Sequence, residues 1–162
     1  MPVVVPDASA ILAAYFPDEL HANAQALMRD YSLGRVDFCA PRLLLLELTN
    51  ACLIAERRGR IARSVSERLV REFAALKIAW VDVESRAAEV FALAAEHALT
   101  AYDACYIVAA RMRGCRLVTA DARLHRSLAG RVDCVDWLGD YAAWSGTEPA
   151  SGGQQEPSQR AR

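Results

Sequence analysis

Several things this chain lacks narrow its function before any motif is considered. Its 162 residues contain no G-x-G-x-x-G or G-x-x-x-x-G-K-[ST] stretch, so the glycine-rich turns that cradle nucleotide phosphates are missing. There is no C-x-x-C pair either. Cys39, Cys52, Cys105, Cys115 and Cys134 sit inside apolar segments with no histidine at ligand spacing, which argues against disulfides and a zinc site and fits small core residues of a reduced protein. The net charge is −1 and Lys77 is the only lysine, which excludes a globally basic nucleic-acid binder while leaving local basic surface built from arginine. The opening segment from Met1 to Asp7 lacks a basic lead, and its apolar run is far too short for a signal peptide or a membrane span. A soluble, cytoplasmic protein with no membrane partner is expected. No internal repeat is visible.

What is present is an alternation of short β-branched runs and longer helical patterns. Strands are expected at Val3 to Val5, Asp37 to Ala40, Ile78 to Val83, Arg116 to Val118 and Val132 to Val135. Helical patterns begin at Ala8 and fill Arg42 to Arg58, Ile61 to Leu76, Ser85 to His97, Ala101 to Arg113 and Ala122 to Ala129. Strands joined by crossover helices imply a three-layer α/β/α sandwich around a central parallel sheet. Trp137, Tyr141 and Trp144 recur at helical spacing and read as a stripe packed on the core or on a second subunit. A domain over residues 1–144 is followed by 145–162, whose lack of apolar side chains predicts a disordered low-complexity tail.

The carboxylates carry the chemistry. Glu47 stands alone in the most apolar stretch of the chain, Leu43 to Ala55. On a helix of about 100° per residue, Leu43, Leu44, Ala51 and Ile54 fall within about 60° of it, whereas Thr49 and Glu56 lie nearly opposite. A buried anion without a partner costs several kcal/mol, so Glu47 is expected to be protonated, paired with a cation, or bound to a metal. Asp7 and Asp121 each leave a strand at its carboxyl end, where parallel α/β sheets bind ligands. Asp103 lies in the first turn of a nearly all-apolar helix. Capping explains three of these acids equally well: Asp7 and Asp121 as N-caps, and Thr100 to Asp103 as a capping box. It does not explain Glu47, deep within its helix. Four carboxylates gathered at one sheet edge repel unless a cation sits among them, and an all-oxygen donor set selects Mg²⁺ or Mn²⁺.

Four segments, Val5-Pro6-Asp7-Ala8-Ser9-Ala10, Pro41 through Glu47 to Asn50, Tyr102-Asp103-Ala104, and Leu117-Val118-Thr119-Ala120-Asp121-Ala122-Arg123-Leu124, together resemble the PIN domain. Their order and spacing are most similar to the VapC-type toxins of toxin-antitoxin pairs, from about Val3 to Trp137. The resemblance implies a PIN-like fold and a Mg²⁺- or Mn²⁺-dependent endoribonuclease that is homodimeric and inhibited by a cognate antitoxin. It implies that Asp7, Glu47, Asp103 and Asp121 form the catalytic metal site, with Ser9 and Thr119 as supporting polar residues. Many relatives carry a further acid after the last motif. Here Ala122 and Arg123 follow Asp121, which leaves open one metal or two.

The phosphates of an RNA substrate also need cations. Arg57, Arg58, Arg60, Arg63, Arg68 and Arg71 form the densest basic stretch, which reads first as a solvated helix face balanced by Glu56, Glu67 and Glu72 and second as a phosphate contact. Arg123 and Arg126, close to Asp121, are the candidate contacts to RNA or antitoxin. His21, His97 and His125 have no partner pattern for a catalytic dyad and read as surface or helix-end residues; Ser9 as a nucleophile has no adjacent base. The alternatives are a metal-dependent phosphatase, against which Ser9 stands where a second aspartate is needed, and a PIN-like binding module whose metal site has decayed. A phosphoacceptor receiver domain is disfavoured, because Asp7 has no acidic neighbour and Lys77 is in the wrong place.

Overall fold

The structure is a computed structural model and describes residues 1–16 and 20–142. The expected tail and Trp144 lie outside the described residues. Five strands, β1 (Val3–Pro6), β2 (Asp37–Pro41), β3 (Ala79–Val81), β4 (Arg116–Thr119) and β5 (Val135–Trp137), pair in parallel in the order β3-β2-β1-β4-β5. Helices α1 (Ala8–Leu12), α2 (His21–Ser32), α3 (Leu43–Arg57), α4 (Arg63–Ala74), α5 (Ala87–His97), α6 (Ala101–Arg113) and α7 (Ala122–Leu128) flank the sheet. This is the expected three-layer α/β/α sandwich. β1 is the central strand, and strand order reverses between β1 and β4, so the ligand crevice of such a sheet opens at their carboxyl ends.

The sheet is buried because its strands are apolar on both faces: Val5, Phe38, Cys39, Ala40, Leu117 and Val118 all lie in the core. α6 packs against β1, β2 and β4. Its buried Ala104, Ala109 and Ala110 carry little side chain and admit a close approach to the strands. The Thr100 hydroxyl starts that helix by accepting from the Asp103 amide at 3.0 Å, and Gly114 stops it at φ 59°, a conformation that suits glycine. Among the described residues no helix is long and apolar enough to cross a membrane, and all five cysteines are free.

Two expectations are corrected at the carboxyl end of the domain. The last strand is Val135–Trp137 rather than Val132 to Val135, because the Arg131 and Val132 amides both turn back to the Leu128 carbonyl, at 2.9 and 3.0 Å. Pairing with β4 resumes only where the Leu117 amide reaches the Cys134 carbonyl at 2.8 Å. Trp137 and Tyr141 do not share a helix. Trp137 ends β5, and the Tyr141 hydroxyl donates to the buried Asp30 carboxylate of α2 at 2.9 Å, pinning the segment after β5 across that helix.

α5 ends on a non-glycine residue in the left-handed region, Ala98 at φ 53°. That conformation costs an L-residue about 1 kcal/mol, and glycine adopts it freely. Ala98→Gly is therefore expected to stabilise the protein by about 0.5–1 kcal/mol, read as a higher urea midpoint. A lower midpoint would place no strain at Ala98.

Candidate active site

Asp7 leaves the central strand and caps α1: its Oδ1 accepts from the Ala10 amide at 2.9 Å and from the Ser9 hydroxyl at 2.6 Å. Backbone and side chain are both fixed, since the Asp7 amide donates to the Val118 carbonyl of β4. Ser9 reaches further. Its Oγ accepts from the Ala120 amide at 2.9 Å and lies 3.4 Å from Thr119 Oγ1, which in turn accepts from the Asp121 amide at 3.0 Å. The two supporting hydroxyls thus bridge the β1–α1 and β4–α7 junctions across the crevice. Asp7 is buried, and burial pushes its carboxyl up to about 6 despite three hydrogen bonds that oppose the rise; repulsion from Glu47 adds to it.

Glu47 is half-buried on the flank of α3. The core stripe of that helix is Leu44, Leu48, Cys52 and Ala55, centred roughly 90° around the axis from Glu47. Ala51 and Ile54 share its flank, as the periodicity predicts, but that flank is a groove wall rather than core, which is why Ile54 is 38% exposed. The partner of Glu47 is the hydroxyl of Tyr106 in α6, which donates a hydrogen bond to Oε2. Burial raises the Glu47 carboxyl, the Tyr106 hydrogen bond opposes this, and the Asp103 charge raises it again. The Tyr106 phenol is pushed far above its ordinary value by burial and by its bond to Glu47. A buried phenol needs a partner. Its place one turn after Asp103, in an otherwise apolar helix, was the signal that sequence reading passed over.

Glu47 therefore feels the Asp103 charge, and Asp7 feels that of Glu47, at one edge of the sheet. Asp121 reaches the same edge through its backbone, but its carboxylate is turned to α7. Its Oδ1 accepts from the Arg123 and Leu124 amides at 2.8 and 3.0 Å, and its Oδ2 lies 3.6 Å from the Arg123 guanidinium. Both cap readings hold, for Asp7 and for Asp121. Among the described residues, no three His, Cys, Asp or Glu side chains are gathered closely enough to hold a metal ion by themselves. The donor chemistry still fits a hard cation. Mg²⁺ commonly uses one or two carboxylates and fills its remaining positions with water and substrate phosphate, and Asp7 with Glu47 offers two mutually repelling carboxylates.

Of the remaining candidates, Arg123 pairs with Asp121. The histidines serve structure: His21 Nδ1 lies 2.8 Å from the Ala13 carbonyl, His97 is buried at the end of α5, and His125 packs its ring against Trp137.

The PIN domain family model matches residues 4–128. The chain belongs to the PIN domain family. It is 34% identical over 127 residues to Ribonuclease VapC3 of Pyrobaculum aerophilum, covering 75% of this chain and 91% of that protein. Its fold is similar to the crystal structure of PAE2754 from Pyrobaculum aerophilum, with a TM-score of 0.58 at 24% identity over 85% of this chain and 91% of that one.

The raised Asp7 carboxyl makes a stability prediction with a defined sign. A folded-state value above the unfolded one gives stability that is complete below pH about 4 and is lost as pH rises through about 6. At pH 7.5 without metal, the ionised Asp7 costs the fold about 3 kcal/mol. Asn keeps the cap without the charge. Asp7→Asn is therefore expected to melt higher than the parent in EDTA at pH 7.5 and to lose that advantage near pH 4. Added Mg²⁺ or Mn²⁺ should raise the melting temperature of the parent and not of the variant. Equal responses to metal in both proteins would remove Asp7 from the cation site.

Proposed function

We propose that the protein is a Mg²⁺- or Mn²⁺-dependent endoribonuclease, the toxin half of a toxin-antitoxin pair. The observation that carries this reading is a pair of repelling carboxylates, Asp7 at the carboxyl end of the central strand and Glu47 of α3, with Asp103 of α6 acting on Glu47, in a PIN domain. Kinship with Ribonuclease VapC3 supports the choice of RNA over other phosphodiesters and the pairing with an antitoxin.

In this reading Asp7 and Glu47 would hold the cation directly, with Asp103 and Asp121 at the same edge of the sheet contributing through bound water. When bound, the cation supplies charge neutralisation at the scissile phosphate and a water acidified for attack. The protein's own groups set the stage. Ser9 fixes the rotamer of Asp7 through Oδ1, while Thr119 lies against Ser9 and helps hold it in place. Tyr106 orients Glu47 by a neutral donor, so the carboxylate keeps its charge for the cation. No covalent nucleophile is required, in keeping with Ser9 being engaged by Asp7 and Ala120.

The reading brings with it a cognate antitoxin, a cytoplasmic setting and a homodimer. Phe91 and Tyr102, 75% and 62% exposed, line one apolar groove between α5 and α6 and supply surface suited to a second copy.

Incubation of the purified protein with total RNA and Mg²⁺ or Mn²⁺ should give cleavage that EDTA or Asp7→Asn abolishes; cleavage surviving both sinks the metal mechanism, and binding without cleavage would favour a decayed module. Glu47→Gln is expected to lower the rate by about 10²-fold or more while the melting temperature stays equal or rises, because a repelling anion is removed. If that variant unfolds instead, Glu47 is a structural residue. Tyr106→Phe removes the bond that opposes the rise at Glu47, so the acid limb of the rate profile should move to higher pH.

A further inference from the structure

A groove of about 500 Å³ opens beside the carboxylates. At one end it is lined by Ser9, whose hydroxyl binds Asp7, and by Ala120, the neighbour of Asp121. Leu12, Phe16 and Ile54 form apolar walls, and Arg60 is the single cation of the lining among the described residues. Arg60 sits just past the end of α3, where the chain turns into α4. Its guanidinium lies over the Phe16 ring, 5.5 Å from the centroid.

Two other arginines of the basic stretch are neutralised by neighbours. Arg63 and Arg68 pair with Glu67 and Glu72 one turn along α4, at 3.1 and 3.7 Å. Arg123, the candidate favoured by sequence position, pairs with Asp121. Arg60 makes no ion pair among the described residues, and a ring contact of this kind holds a guanidinium in position without neutralising it, so its N–H donors remain available to an anion.

We propose that Arg60 is a positioning residue that grips a phosphate of single-stranded RNA, with the groove holding the nucleotide next to the scissile bond. The proposal rests on the nuclease reading. Charge decides the occupant. The carboxylates repel an approaching phosphate, so a strand entering from this side needs a fixed positive charge before it meets the cation site, and Arg60 supplies it. Leu12, Phe16 and Ile54 offer the apolar surface that an unstacked base covers. The volume lies in the range of sites that enclose a nucleotide-sized group. A guanidinium offers two parallel N–H donors to a phosphate, which fixes the strand's direction as well as its distance.

The test titrates the full-length protein, with Mg²⁺, against a fluorescent 2′-O-methyl oligoribonucleotide that is not cleaved, across a salt series. Arg60→Ala is expected to weaken binding about 10-fold and to flatten the slope of log Kd against log salt by about 0.7, the loss of one single-strand phosphate contact. Arg60→Lys should restore the slope and only part of the affinity, and Arg63→Ala should change neither. With cleavable RNA, Arg60→Ala should raise KM and leave kcat within about twofold of the parent. Thermal melting checks that each variant is folded. A folded Arg60→Ala with the parent's affinity and salt slope overturns the inference alone. Parent protein that neither binds nor cuts RNA overturns the nuclease reading and this inference with it. If Arg60→Ala spares RNA but loses the antitoxin, the groove is a protein-docking site and the inference falls.

Discussion

One hydroxyl group holds the two halves of the crevice in register. Ser9 donates to the Asp7 carboxylate and accepts from the Ala120 amide, with Thr119 at its side. These contacts join the end of the central strand to the end of its neighbour at the point where strand order reverses. A parallel sheet leaves this edge open by construction, because the chain departs on either side into different helices. Ser9 closes it from within. The bond also decides which oxygen of Asp7 is committed to the capping turn.

The chemistry of the site then follows from what is not used. An acid on the apolar side of a helix is ordinarily satisfied by an arginine, and a buried ion pair of that kind would quench the charge. Glu47 is met by the neutral hydroxyl of Tyr106 instead. A neutral donor satisfies hydrogen bonding and orients the carboxylate while leaving it an anion. Asp7 follows the same pattern with Ser9, Thr119 and a backbone amide. Both carboxyls are raised above their ordinary range by burial and by acidic neighbours, so the fold carries unrelieved repulsion at this edge. Repulsion of that kind is a cost to folding that a bound cation removes.

Much of this was legible in the sequence, and the parts that were not have identifiable causes. Strand ends and caps are local, so Asp7, Thr100 and Asp121 announced themselves through residue type and position, and α6 begins and ends where Thr100 and Gly114 predict. The angular relation of Glu47 to Ala51 and Ile54 was also readable, because helix geometry fixes it. What periodicity does not encode is which side of an apolar helix meets the core. Leu44, Leu48, Cys52 and Ala55 take that side, and the flank of Glu47 faces a groove. Tyr106 was hidden because its ring satisfies the hydrophobic pattern and only its oxygen does chemistry. β5 was misplaced because the Leu128 carbonyl captures two amides of the turn, a contact with no signature in the sequence.

The same distinction explains the arginines. Along the chain they differ only in distance from a motif, and Arg123 stands next to one. In space an arginine beside an N-cap carboxylate finds that carboxylate, so proximity in sequence consumes its charge. On α4, acids one turn away do the same for Arg63 and Arg68. Arg60 lies outside any helix, after the turn that ends α3, and makes no ion pair among the described residues, although Glu56 stands four residues before it. Its contact is an aromatic face from α1's exit, which holds position without neutralising. At both ends of the groove, then, the charge is retained by one rule: the carboxylates are oriented by hydroxyls, and the guanidinium by a ring.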